Sequence, residues 1–436
     1  MLAHGVGGRQ DLPIPFGLAV AGAAAALVVS FLVLLMAWRR SRFHGDRSGR
    51  PLPLAVSRAA DSSWMRWTLR VLGLVAVAYV AVGAVAGPDL ATNPTAGVVY
   101  VLLWIGIVPL SLLFGPFWRL VNPLRTLHLL LCRAVRLDPA VGMRALPPRV
   151  GLWPAAAWLV VFTWLELVAP DRATLPVIRA WFAVFVAVMV LGAVVFGARW
   201  FDHADPFEAY SSLVARLSWL GRRTDGRLVA RNPLENLDGT PVRPGLTATV
   251  AALLGSTMFD SASASPAWDR WVQESGVPST LAGTVGLLAA ILLVYLTFTL
   301  AVRWVASLAG SEGRGLADHF AHSVVPIVVG YVIAHYFTLF VLEGQRTLVL
   351  LSDPLGTGAD WLGTAGMTEN RWIAGQPTLV ASVQVGAIVV GHVLGIVAAH
   401  DRAVRLFPLA RPDCQVPLLV VMVAYTVGGL LLLFAA

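Results

Sequence analysis

The chain is expected to be an all-α, polytopic integral membrane bundle of about ten transmembrane helices with both termini external. Three observations lead there. Of its 436 residues, 57% are hydrophobic and 13% are charged, roughly half the charged share of a soluble domain. Apolar runs of about 20 residues, the length a hydrocarbon core requires, recur from one end to the other. All of the 32 basic residues are arginine, and they concentrate in alternate loops, as cytoplasmic loops do.

The first run, 14–37, follows MLAHGVGGRQDLPIPF. That stretch lacks the basic region of a signal peptide, so the run reads as a retained helix behind a short external tail. Further spans are expected at 71–88, 97–115, 151–169, 175–197, 246–261, 279–302, 317–344, 377–399 and 416–435. The sixth is the least apolar, because LLGSTMFDSASASPAW dilutes it with small polar residues. The segment 117–135 is apolar but dotted with arginine, which suits an interfacial amphipathic helix. Outside the spans lie a basic first loop at 38–66, a long polar cytoplasmic loop at 198–245 and an external loop at 345–375. No internal repeat stands out. One membrane domain therefore covers 1–436.

Orientation follows from the arginines. Placing 38–66 in the cytoplasm puts 26 of the 32 on that side. The formal charge of +8 then describes loops lying against anionic lipid rather than a nucleic-acid surface. The partners expected are the bilayer of the cell membrane, a small-molecule or ion substrate, and a possible membrane partner subunit. Cys132 and Cys414, the two cysteines, both fall on the cytoplasmic side and imply no disulfide framework.

Chemistry is sought among ionisable residues near or within spans, where each is costly. Asp202, His203 and Asp205 follow the fifth span. Asp318, His319 and His322 open the eighth, and His400 and Asp401 close the ninth. All reach one depth on the cytoplasmic side, with Asp318 and His322 on one helical face at i, i+4. Converged, they form a ligand set for one or two divalent ions, Zn, Fe, Mn or Cu, able to activate water. Arg199 and Arg402 stand near enough to steady a phosphoryl oxygen. The alternative is that each Asp caps a helix start and each His is hydrated.

Deeper in the membrane, Tyr331, His335 and Thr338 form one stripe, with Gln384 at a similar depth and His392 roughly 13 Å from His335 in depth. This intramembrane polar path suits ion or metal relay, or haem ligation; the alternative is a pair of histidines bonded between packed helices. Asp260 and Ser261, beside Met258, mark a broken helix of the kind that lines transporter sites. Glu166 lies near the outer end of the fourth span, and His4 would bind copper only if it were exposed as a first residue. P-loop, HExxH, G-x-S-x-G and CxxCH motifs are absent.

The blocks AHGVGGRQDLPIPF, GPFWRLVNPLRTL, DHFAHSVVPIVVGYVIAHYFTLFVLEGQ and VQVGAIVVGHVLGIVAAHDRA resemble a group of actinobacterial multi-pass proteins labelled fenitrothion hydrolase. The resemblance runs from the first span to the ninth. It implies hydrolysis of a phosphotriester at a P–O–aryl bond, and it supplies no catalytic residues of its own. The leading expectation is thus a metal-dependent membrane hydrolase using Asp318, Arg199 and Arg402 beside the ligands above. The alternatives are a transporter of copper or a small molecule, and a haem-binding electron-transfer subunit.

Overall fold

In the computed structural model the described residues are 8–311, 313 and 315–434; His4 and Arg314 lie outside them. The principal helices are α1 Phe16–Ala37, α2 Ser63–Ala86, α3 Ile107–Phe114, α4 Pro123–Ala134, α5 Trp153–Leu167, α6 Leu175–Phe196, α7 Pro206–Val214, α8 Pro233–Asp238, α9 Leu246–Ser263, α10 Ser279–Leu308, α11 Val325–Leu350, α12 Pro377–Leu406 and α13 Val416–Leu433. The chain is an all-α polytopic helical bundle. Among the described residues, eight helical stretches are long and apolar enough to cross a membrane, or nine if one bent pair counts as a single span. They match the expected spans except the third, which is the bent pair, and the sixth.

The exceptions have physical causes. The expected span 97–115 is two pieces, Thr95–Leu103 and α3, bent by 43°, after a wide π-type stretch over Val98–Leu103. The sixth span exists as α9, but nearly all of its length is buried. Its Thr247, Thr249, Ser256, Thr257, Asp260 and Ser261 are shielded by neighbouring helices, so the helix need not be strongly apolar. The segment 117–135 is broken at Asn122–Pro123 into Trp118–Val121 and α4. Proline lacks the N–H that would continue the first piece, and it suits the first position of the second.

The chain forms two compact units. Unit 1 comprises Met1–Ser48, Asn232–Thr338 and Arg371–Ala436; unit 2 comprises Gly49–Arg231 and Leu339–Asn370. In unit 1, α9 packs on α10 at Gly255, where a Cβ would meet the Ile291 backbone. Helices α11 and α12 run antiparallel with their backbones touching. Any Cβ on Gly330 would collide with the Ala387 carbonyl, and one on Gly391 with that of Pro326. Small residues at such crossings permit close van der Waals packing in lipid, where apolar surface alone gives no drive to associate.

Unit 2 is cored by aromatic rings from α5, α6, α7 and the bent third span. Trp104 lies 4.9 Å from Phe162 and 4.8 Å from Tyr210, and Phe162 lies 5.1 Å from Phe207. A small antiparallel sheet joins β1 Arg50–Pro51, β2 Leu220–Arg222 and β3 Leu228–Ala230 in the order β1-β3-β2. The loop expected at 198–245 is thus folded, and α7 within it is buried on almost every residue.

Candidate functional site

The residues expected at a cytoplasmic mouth divide between the two units, and within each they have separate work. In unit 1, Asp318 Oδ1 accepts from the Thr247 N–H at 2.8 Å and the Thr247 hydroxyl at 2.7 Å. It therefore caps the start of α9 from outside that helix. A 3-10 turn, Ala321–Val324, replaces the expected α-helical i, i+4 spacing. With three residues per turn, His322 turns back on its own segment and its Nδ1 lies 3.1 Å from the His319 carbonyl. His319 is half-buried. His400 bridges the Gln415 side chain and the Trp38 carbonyl, both at 2.9 Å. Asp401 is fully buried. It accepts from Trp38 Nε1 at 2.9 Å, Ser41 Oγ at 2.8 Å and the Arg42 N–H at 2.6 Å, and it pairs with Arg405 at 3.1 Å. Arg402 donates to the His319 carbonyl and to Asp238.

In unit 2, Asp202 pairs with Arg119 and Arg125, each at 3.0 Å, while His203 Nδ1 lies 2.6 Å from the Gly151 carbonyl. Asp205 caps α7, accepting from the Phe207 and Glu208 N–H groups. Arg199 is exposed. Among the described residues, no three His, Cys, Asp or Glu side chains are grouped to hold a metal ion. Most of the donors expected to bind one are engaged elsewhere: Asp318 and Asp205 in caps, His203, His322 and His400 with backbone carbonyls, and Asp202 and Asp401 with arginines.

The intramembrane stripe fares differently. Tyr331, His335, Asp260 and Ser261 meet inside unit 1, all with at most 7% exposure. Tyr331 O–H donates to Ser261 Oγ at 2.8 Å, and Ser261 Oγ lies 3.1 Å from His335 Nδ1. His335 Nε2 lies 2.9 Å from Asp260 Oδ2, which also accepts from the Tyr336 hydroxyl at 2.6 Å. One assignment satisfies the chain throughout. Ser261 donates to a lone pair on Nδ1, and Nε2–H donates to the Asp260 carboxylate. The result is a five-residue hydrogen-bonded wire with an ionisable group at its heart.

The two halves of this network, Tyr331–His335 and Asp260–Ser261, stand apart in the sequence and meet only in the fold. The i, i+4 offset from Tyr331 to His335 presents both to the neighbouring α9, and adjacent Asp260 and Ser261 supply an acceptor and a relay. The glycine contacts also fix the register of α11 against α12. Gly330 faces Ala387 and Gly391, and Gly395 faces Ser323, so Gln384 falls level with His335. Gln384 Oε1 and His392 Nε2 are buried with no hydrogen-bond partner. His392 donates from Nδ1 to the Ile388 carbonyl at 2.8 Å, which leaves Nε2 as an acceptor. It lies about 12 Å along the helix from Gln384, too far for direct transfer between them. Thr297, Leu300, Trp304 and Val416 line an apolar groove of about 460 Å³ in the same unit; it touches none of these polar residues.

Unit 2 holds a second buried network, and with it a short internal repeat. Phe114–Gly115 and Phe196–Gly197 each end a helix on a glycine at positive φ, 75° and 74°. Trp118 and Trp200 follow, and then Asn122–Pro123 and Asp205–Pro206 start α4 and α7 as capping side chains. The two copies meet through equivalent residues. Asn122 Nδ2 donates to Asp205 Oδ2 at 2.8 Å, and Arg125 makes a bidentate pair with Glu208, both contacts 2.6 Å. Burial is the main force raising the Asp205 carboxyl above its ordinary value, against the pull of the Glu208 N–H and Asn122.

Comparisons with family models, curated proteins and solved structures find no match.

Proposed function

We propose that the protein is a transporter-class membrane protein that handles protons within unit 1, with Asp260 and His335 as the proton-binding pair. One observation carries this reading: the buried wire Tyr331–Ser261–His335–Asp260–Tyr336. An ionisable pair in a membrane interior is expensive and is retained where it serves a path or relay. One pass along the wire shifts one proton from end to end. Ser261 passes its proton to His335 Nδ1 while taking one from Tyr331, and His335 Nε2 gives its proton to Asp260; a proton entering the wire restores the Tyr331 hydroxyl, and Asp260 releases the one it has gained. Gln384 and His392, with their open acceptors, extend the polar path toward the arginine-rich side with water between them. The transported or coupled solute in this reading is a small molecule or cation, and the site is the cell membrane.

The test uses purified protein in liposomes loaded with a pH-sensitive dye, under an imposed membrane potential. Wild type is expected to move protons, and Asp260→Asn or His335→Gln to abolish the flux, while Arg58→Gln, in the other unit, leaves it intact. A wild type that passes no more protons than empty liposomes ends the proposal. The Asp–His–Ser order also favours one second reading, a hydrolase with Ser261 as nucleophile. It is weaker, because the Ser261 side chain is fully buried and accepts from Tyr331. Labelling of Ser261 by a fluorophosphonate probe would decide for the hydrolase; an unlabelled serine beside a conducting wild type decides for the relay.

A further inference from the structure

Several arginines of unit 2 have carboxylate partners: Arg125 has Glu208, Arg222 has Asp61 and Arg223 has Asp225. Arg70 and Arg133 have none among the described residues. Both instead stand against one ring. The Arg70 guanidinium lies 5.3 Å from the Trp67 ring centroid, and that of Arg133 lies 4.9 Å from the same centroid. Two cations are thus held within the sum of those distances. The charges of Arg66 and Arg125 act on Arg70 as well. An aromatic face attracts a cation but cannot cancel the repulsion between two of them. The arrangement lacks an anion.

The backbone enforces the meeting. A Cβ on Gly73 would collide with the Val121 carbonyl oxygen, so only glycine lets α2 come so close to the Trp118–Val121 turn. That approach sets the first turns of α2 beside α4. Around the pair, Leu72 on α2 and Leu127, Leu130 and Leu131 on α4 are exposed. A guanidinium pair matches the oxygens of a phosphate group, and exposed leucines beside it match acyl chains.

We propose that Arg70, Arg133 and Trp67 form a binding site for the phosphate of an anionic phospholipid, with its chains lying over the leucines of α4. The site differs from the general attraction of basic loops to anionic lipid because it is built: two cations converge on one aromatic ring, locked by a glycine contact.

Native mass spectrometry of the delipidated protein, offered phosphatidylglycerol or phosphatidylcholine, tests it. Wild type should retain phosphatidylglycerol several-fold over phosphatidylcholine. Arg70→Gln/Arg133→Gln should lose that preference, and Arg58→Gln, which removes an exposed charge outside the site, should keep it. If the double variant does not fold, Arg133→Gln alone, at an exposed position, should lose most of the preference. A double or single variant that binds as wild type does overturns the site. So does an equal loss from Arg58→Gln, since net charge alone then governs binding. Displacement of the lipid by inorganic phosphate at matched concentration would overturn the lipid assignment in favour of a free anion.

Discussion

Burial strips water from the Glu208 carboxylate. The Arg125 fork offsets part of that penalty, Asp205 and Asp202 add like charge, and the group is pushed up to about 7. Its ordinary value is 4.5, so between those values the folded state holds more proton than the unfolded chain. Stability tied to this group is therefore fully present below about 4.5 and is lost as pH rises through about 7. Thermal unfolding of wild type in detergent should show a falling midpoint across that window, and Glu208→Gln should flatten the slope. A slope that survives the substitution would place its origin elsewhere. Arg125 poses the complementary case. Removing it takes away the bidentate partner of the buried Glu208 and leaves only the more exposed Arg119, 4.0 Å away, so Arg125→Ala should cost roughly 3–5 kcal/mol, read in the same unfolding assay. At Asp401 hydrogen-bond geometry bears on the metal question. A carboxylate already accepting from Trp38, Ser41 and the Arg42 N–H has most of its lone pairs engaged, which composition and depth along a helix do not disclose.

Helix α12 carries its own control experiment. Gly391 touches the Pro326 carbonyl of the adjoining segment, whereas Gly386 on the same helix has open space where a Cβ would go. Gly391→Ala must push two backbones apart and should cost about 1–3 kcal/mol. Gly386→Ala should be neutral or slightly stabilising, because alanine is the better helix former. Equal effects at both positions would refute the close crossing. The elements differ in how far they could be read from the sequence. Long apolar helices such as α1, α6 and α13 were legible because lipid demands an unbroken apolar run. The helix α9 was legible as a helix but ambiguous as a span, since shielding by neighbours is a tertiary property. The break at Asn122–Pro123 and the burial of α7 do not follow from hydropathy, although the Asn-Pro and Asp-Pro pairs mark both caps. Two Phe-Gly…Trp…cap-Pro stretches compared side by side carry the repeat; what hid it was that its pairing, Arg125 with Glu208, joins residues of opposite charge. The Asp260–His335 contact was not legible, because depth along a helix says nothing of which neighbour a side chain faces.

For the molecule as a whole, the arginine distribution makes a statement that the packing of α9 sharpens. With 26 of the 32 arginines assigned to one side, the loops 198–245 and 303–315 share the cytoplasm only if α9 and α10 both cross. Yet α9 falls short of the apolar character that marks the other spans. Its burial in unit 1 offers a way out of the conflict: a helix screened from lipid can cross with polar residues intact, which would put Asp260 within the membrane, as the proton reading requires. Cysteines placed singly in a Cys132→Ser/Cys414→Ser background test this with an impermeant maleimide on intact cells. Ser275→Cys, exposed at the end of the short helix Pro266–Ser275 that follows α9, and Thr368→Cys, exposed in the loop 345–375, should react directly. Thr224→Cys and Ser311→Cys, also exposed, should react only after permeabilisation. If Ser275→Cys instead behaves like Thr224→Cys, then α9 does not cross. Asp260, three residues before the end of that helix, would then belong to an interface open to water, and the cost that makes its pairing with His335 informative would vanish.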